Sequence, residues 1–479
     1  MKKFRIRKIG RVVRLTIFLA LALTPALLAA HQPGQDQPGR AAASIEAANA
    51  PAIAARRAKL MEAHKDAVII IPSQYKSGQG LRDNLNFLYL TGLQEPEAVL
   101  VLDPGGSPRE TIFRRRAGGP EGPGAMTEKP VAQLSSALRG MVMSGRGKRV
   151  FLPFSDFDFL ARTFGTANPL AQAEAVLNID PTLLEMRLTK DADEIAALRE
   201  TIDLTAEGLN EAFRAAEPGF REVDLAAILR YAFNKRETKE SFLQAASGPN
   251  STNVHFGATA RALTAGDLVV FDVGAYVRGY TSDISRTIPA SGRFSKEQRA
   301  IYGLVLEAEK EGCRKLVAGV TFKAVQTEVE DVLLAGLEKL GLVTDVKSPW
   351  QRRLYIQHGF GHGIGLDVHD AWSWHSPRLE KVAMAPGMVM TMEPGLYFPE
   401  VRFDAFLEAL KGKVGDAELK AFADKVGPIY KKYAGMGVRI EDDVLITATG
   451  NEILSGRVPK EIIELEKLMR EKSPHNLIK

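Results

Sequence analysis

The chain has 479 residues, 45% of them hydrophobic and 25% charged, which is the composition of a globular protein with room for two or three domains and excludes a disordered class. Its net charge of +5 comes from the first 30 residues, which hold seven Lys and Arg and no acid. Without them the balance is −2, so a nucleic-acid partner has no electrostatic basis. Cys313 is the single cysteine, which excludes an intramolecular disulfide.

In chain order, the basic "MKKFRIRKIGRVVR" and the apolar "LTIFLALALTPALLAA" read as an export signal over residues 1–30. The apolar run is shorter than the ~20 residues of a membrane span. The expected location is periplasmic or secreted, with an uncleaved membrane anchor as the alternative. Residues 31–51 read as a flexible linker. Residues 52–182 form a smaller α/β domain. Helices are expected at 52–64 and 131–140, buried strands at "DAVIII", "EAVLVL" and "RVFLPF", and a Gly/Pro loop at 117–126. Asp191 followed by Glu194 predicts a capping box, and the domain boundary falls at 182–189. Over 190–470 the pattern becomes α+β, with amphipathic helices expected at 191–216, 222–237, 295–318 and 321–340. Cys313 falls on the third of these as a packed residue.

Two stretches, "AGDLVVFDVGAY" (265–276) and "PGMVMTMEPGLY" (386–397), align without gaps, and each carries an acid after an apolar strand, Asp272 and Glu393. In "VVFDVGAYVRGYTSDISRT" a hairpin centred on 277/278 sets Asp272 opposite Asp283, with Cβ atoms ~5 Å apart. In "GVRIEDDVLIT" (437–447) a strand places Arg439, Glu441 and Asp443 on one face, and Glu441 corresponds to Asp283. "HGFGHGIGLDVHD" (358–370) gathers three of the eight histidines among glycines. Four converging carboxylates repel one another unless cations intervene. Oxygen-rich ligation with one imidazole suits a pair of divalent ions such as Mn, Co or Zn, which brings the set close to neutrality.

These motifs together resemble the pita-bread metallopeptidases, peptidase family M24, and within them the aminopeptidase P and prolidase group. The resemblance implies Asp272, Asp283, His362, Glu393 and Glu441 as ligands of two metal ions, most readily Mn2+, with Co2+ or Zn2+ as alternatives. It implies catalytic roles for His255, His369 and Glu393, the last as a proton shuttle, and substrate contacts for His358 and Arg439. "RDNLNFLYLTGLQEPEAVLVL" (82–102) is similar to the N-terminal domain of aminopeptidase P, so the expected fold is a C-terminal pita-bread domain behind a smaller α/β domain. The implied activity is release of an N-terminal residue from peptides with proline at the second position. The alternatives are an Xaa-Pro dipeptidase and, from another class, a non-catalytic peptide-binding protein. A homo-oligomer, dimer or tetramer, is implied as well. Asp367 and Asp370 are expected to orient imidazoles or cap turns. His64, His375 and His475 are given no role. Glu393 and Glu441 are 48 residues apart against 11 for the first acid pair, so an insertion at about 400–433 is expected, either a surface excursion or a lid or subunit contact.

Overall fold

A computed structural model describes residues 50–77, 80–115, 126–147, 149–154, 170, 173–371, 381–471, 473 and 475. The export signal, almost all of the linker, most of the 117–126 loop and His375 lie outside the described residues.

The N-terminal part is a mixed sheet between helical layers. Its strands are β1 (Ala67–Pro72), β4 (Val99–Leu102), β5 (Glu110–Arg114), β6 (Thr127–Pro130), β7 (Arg149–Leu152) and β8 (Ala175–Asn178), in the order β6-β5-β4-β1-β7-β8. A separate hairpin joins β2 (Gln74–Ser77) to β3 (Gly80–Asp83). The central strand "AVIIIP" is buried along its whole length because both faces are covered. Ile69 and Ile71 join Leu60 and Met61 of α1 (Ala50–Ala63) and Phe87 of α2 (Leu85–Thr91). Val68 and Ile70 face Leu134 and Leu138 of α3 (Leu134–Met143).

Pro181 sits in the first turn of α4 (Asp180–Leu188), where its missing N–H costs nothing. The chain then breaks and re-enters a helix, α5 (Ala192–Ala215), through the capping box of Asp191 and Glu194. Next come α6 (Glu222–Asn234), β9 (Glu240–Ser247), β10 (Leu268–Val277), β11 (Tyr280–Thr281) and β12 (Ile284–Pro289). The second half repeats the plan with α7 (Lys296–Lys315), α8 (Phe322–Lys339), the short α9 (Arg352–Tyr355), β13 (Val389–Met392) and β14 (Gly395–Tyr397). It closes with α10 (Arg402–Leu410), α11 (Asp416–Tyr430), β15 (Gly437–Arg439), β16 (Asp442–Ile446), β17 (Asn451–Ile453) and α12 (Ile462–Leu468). The halves are related at the spacing of the sequence repeat. Bridges Arg221↔Ala262 and Thr321↔Ala383 tie each second helix to the strand that follows, and β10 and β13 begin at Leu268 and Val389. Among the described residues no helix is long and apolar enough to cross a membrane.

Three expectations need correction. The first hairpin turns at Arg278 and Gly279, both with positive φ (51° and 86°), which is the two-residue turn that matches strand twist. Its register therefore pairs Asp272 with Ser285, and Asp283 lies outside the ladder, one alternate position further along the same face. The stretch 437–447 is broken at Ile440 and Glu441, so β15 pairs with β14 while β16 pairs with β13. Strand β9, paired with β10 along most of its length, was not anticipated, because "ESFLQAAS" lacks alternation and carries small residues.

The segment expected as an insertion, 400–433, is a docked helical pair. Phe403 of α10 and Phe422 and Tyr430 of α11 are buried, and Trp350 meets Phe422 edge-on with centroids 4.8 Å apart. The Arg402 guanidinium donates to the carbonyls of Arg353 and Leu354, both at 2.9 Å, at the end of α9.

Candidate metal centre

The site lies where the two halves meet, and each half contributes two acids. Asp272 projects from the middle of β10, while Asp283 sits in the break between β11 and β12. Glu393 and Glu441 occupy the matching breaks after β13 and before β16, where the flanking pairs Met392↔Asp442 and Gly395↔Arg439 set them opposite each other. Breaks suit ligands, because a side chain released from the ladder can turn toward its neighbour strand. Asp283, His362 and Glu441 each present a ligand atom, and these three atoms lie within 4.8 Å of one another. His362 Nε2 is 3.4 Å from Asp283 Oδ2 and 3.5 Å from Glu393 Oε1. Ser285 Oγ, 3.1 Å from Asp272 Oδ1 and 2.8 Å from Glu441 Oε2, joins the remaining acid to the set.

The histidine loop is held for this purpose. His362 Nδ1 lies 3.1 Å from the Gly363 carbonyl, which can only accept, so the proton is on Nδ1 and the Nε2 lone pair faces the acids. Gly361 has φ 152°, and a Cβ there would collide with the Thr391 carbonyl, so only glycine lets the loop lie this close to β13.

Electrostatically the centre is frustrated. Burial and then Asp272 push the Asp283 carboxyl well above its ordinary range, and burial and then Asp283 do the same to Glu441. Burial and then Glu441 push Glu393 up to about 8. Among the described residues, buried Asp283 Oδ1 and Glu441 Oε1 find no hydrogen-bond partner. Arg439 is the cation among them, ion-paired with Asp272 and donating to Ser285 Oγ at 2.8 Å. Orphaned, mutually repelling oxygens beside a free imidazole nitrogen fit divalent metal ions.

The other residues named from sequence are near, in different settings. His358 accepts at Nε2 from the Tyr397 hydroxyl (2.9 Å), which itself accepts from Arg439 Nη1 (2.8 Å). The Gly359 carbonyl takes the His358 Nδ1 proton at 2.6 Å. Burial, then Arg439, hold His358 down to about 3. His369 is exposed with its ring 4.2 Å from that of His362, and partial burial and the neighbouring His362 and His255 lower it to about 4. His255 is exposed and follows Val254, whose carbonyl accepts from Arg439 at 3.1 Å. Asp370 caps the Leu366 N–H at 3.3 Å, but neither it nor Asp367 is recorded bonding an imidazole; both pair with Arg187. Of the unassigned histidines, His64 packs on Phe151 and His475 on Tyr231.

Three residues at the site escaped the sequence. Ser285 and Tyr397 are linkers, and a hydroxyl carries no periodic signal, although the alignment of Tyr276 with Tyr397 marked the second. Asp443 was placed on the Glu441 face without a role; its Oδ2 accepts the Asp283 backbone N–H at 3.2 Å. A second acidic cluster, Glu309, Cys313 and Asp442, has ligand atoms equally close. Two cations already supply its countercharge: Lys460, 2.8 Å from both Glu309 oxygens and ion-paired with Asp442, and Arg286, 2.6 Å from Asp442 Oδ1. Cys313 is buried there, its thiol 2.8 Å from Glu309. Arg286, fully buried, spans the halves: it donates to the Glu441 carbonyl at 2.6 Å, to Asp442 at 2.6 Å and to the Val458 carbonyl at 2.9 Å.

Comparison with known proteins finds relatives along most of the chain. Metallopeptidase family M24 matches residues 196–448, and the aminopeptidase P N-terminal domain matches residues 53–118. The chain is 32% identical over 420 residues to an Xaa-Pro aminopeptidase of Escherichia coli, covering 81% of this chain and 89% of that protein. It is 27% identical to the human Xaa-Pro aminopeptidase 3, covering 82% and 77%. Among solved structures, an aminopeptidase of Pseudomonas aeruginosa, PepP, superposes with a TM-score of 0.74 at 31% identity, covering 88% of this chain and 98% of that one. Escherichia coli aminopeptidase P with the inhibitor Pro-Leu gives a TM-score of 0.74 at 28% identity, covering 89% and 99%.

Proposed function

The chain belongs to metallopeptidase family M24, and on that premise we propose that it is a dinuclear aminopeptidase that hydrolyses the bond between an N-terminal residue and a following proline. The observation that carries this reading is the cluster of three buried acids and the half-buried Glu393 around His362 Nε2, with one oxygen each of Asp283 and Glu441 unpartnered among the described residues. Asp272, Asp283, His362, Glu393 and Glu441 would hold two divalent ions, Mn2+ first among the candidates. Such ions supply Lewis acidity and bring a water toward ionisation near neutral pH.

The side chains then divide the work. Glu393, whose Oε1 lies 3.5 Å from His362 Nε2, would take a proton from the attacking water and deliver it to the proline nitrogen as the C–N bond breaks. His369, held down to about 4, is neutral at pH 7 and offers an N–H to the developing oxyanion without adding positive charge beside the ions. An amide nitrogen of proline has no N–H to be recognised, so selection rests on shape. The wall formed by His358, Tyr397 and Arg439 is locked by two hydrogen bonds and supplies that shape. Export rests on residues 1–30, and a homo-oligomer is part of the same reading.

The test strips the purified protein with chelator, reloads it with Mn2+, Co2+ or Zn2+, and compares Xaa-Pro-Xaa tripeptides with Xaa-Pro dipeptides and Xaa-Ala-Xaa controls. Metal-dependent release of the first residue from the proline tripeptide is expected. Turnover of dipeptides alone would replace the reading with a dipeptidase, and peptide binding without turnover would replace it with a binding protein.

A further inference from the structure

Arg187 lies on α4, at the junction between the N-terminal domain and the catalytic part, and is buried. Its guanidinium reaches in two directions. Nη1 donates to Asn86 Oδ1 at 2.9 Å, in the first turn of α2 of the N-terminal domain. Nη2 lies 2.5 Å from Asp370 Oδ1 and 3.3 Å from Asp367 Oδ2, both in the histidine loop. Asp370 fills the inside of that loop. Its Oδ2 accepts from the Leu366 N–H at 3.3 Å, its own N–H donates to the Gly363 carbonyl at 2.8 Å, and a Cβ at Gly365 would collide with its carboxylate. The buried Lys190 ammonium stands 3.6 Å from the same oxygen. The loop is thus closed between Gly363 and Asp370, with His362 before its first residue and His369 before its last. The two rings lie 4.2 Å apart across that closure.

We infer that Arg187 is a positioning residue of the catalytic centre: by clamping Asp370 and Asp367 from the domain junction it sets where His369 stands relative to His362. This rests on the functional reading above, in which His369 acts on the scissile carbonyl. A forked guanidinium fits the task because it grips two carboxylates and an amide oxygen at fixed angles, which a lysine cannot do. Among the described residues Arg187 bonds neither the candidate metal ligands nor a substrate contact, so its reach to His369 runs through the loop, while its bond to Asn86 ties that loop to the N-terminal domain.

The experiment is a double-mutant cycle with a second, activity-independent readout. Arg187→Ala is expected to lower kcat about 10- to 100-fold on an Xaa-Pro-Xaa tripeptide, with KM and bound metal unchanged. In a His369→Ala background the same substitution is expected to cost no more than about twofold, because the residue through which it acts is gone. Hydrogen exchange of amides 363–370 should accelerate in Arg187→Ala while the N-terminal sheet is unchanged. Arg187→Lys should restore little of kcat, and it serves in place of alanine if that variant does not fold. An equal loss of kcat in both backgrounds, or unchanged exchange in the loop, overturns the inference. If the unmodified protein hydrolyses no proline tripeptide, the parent reading fails on its own, and the exchange measurement still decides whether Arg187 holds the loop.

Discussion

Stripping the metal from the centre should leave a protein that loses stability as pH rises, which is the reverse of what salt-bridged carboxylates do. Glu393 titrates at about 8 in the folded chain against 4.5 unfolded, because burial and Glu441 oppose its charge. Between those values the folded state holds a proton that the unfolded state has released, so stability is fully present below 4.5 and drains away up to about 8. Integrated from pH 5 to pH 8, this single carboxyl costs about 3 to 4 kcal/mol. Asp283 and Glu441 are displaced in the same direction and add to it. At about 2.1 cal/mol/K of unfolding entropy per residue, a chain of this length should melt about 4 °C or more lower at pH 8 than at pH 5. Bound divalent ions compensate the acids, so reloaded protein should lose the slope and release protons on binding. Calorimetric melting of stripped and reloaded protein from pH 5 to pH 8 reads the first effect. Titration with metal in two buffers of different ionisation enthalpy reads the second. A stripped protein whose melting temperature is flat or rises over this range would refute the reasoning, since the four acids would then not be buried against one another.

Glu393→Gln should retain fold and substrate binding while kcat falls about 10²- to 10⁴-fold, the range of a lost proton-transfer group; elemental analysis beside the assay separates this from metal loss. Tyr397→Phe removes the hydroxyl between Arg439 and His358 and leaves a buried donor and acceptor unmet, which should cost about 1 to 3 kcal/mol in denaturant unfolding. The same variant should raise KM more than it lowers kcat, because the wall it loosens binds substrate. Phe422→Ala in the insertion should cost about 3 to 5 kcal/mol and expose the Trp350 ring, visible as a red shift in tryptophan emission.

What the sequence disclosed was what spacing and residue type encode. The four long helices had a clean 3.6-residue period and a capping box, and α5, α6, α7 and α8 lie within a few residues of the expected ranges. The repeat of 265–276 in 386–397 carried the acid of each half, because strands that begin at Leu268 and Val389 must present the same face. Register was harder. Centring the hairpin on 277/278, one residue short of the true Arg278-Gly279 turn, paired Asp272 with Asp283 and slipped the ladder by two from its true partner Ser285. The kinship of Asp272 and Asp283 survived because a slip of two keeps both on one face. Side-chain linkers were the hardest to read: Ser285 and Arg187 work through long-range contacts that no local pattern announces, while Tyr397 and Asp443 were placed by the repeat and by strand face but given no role. The insertion's helices were legible from composition, but their attachment to α9 through Arg402 was not.

Arg286 carries a consequence for how a peptide gets in and out. Its charged group, wholly dry, is stitched to three strands and loops of the opposite half. Prising the halves apart would break the ion pair with Asp442 and both carbonyl bonds along with the apolar contacts. Any separation of the two leaves to admit a peptide would therefore have to break these bonds first.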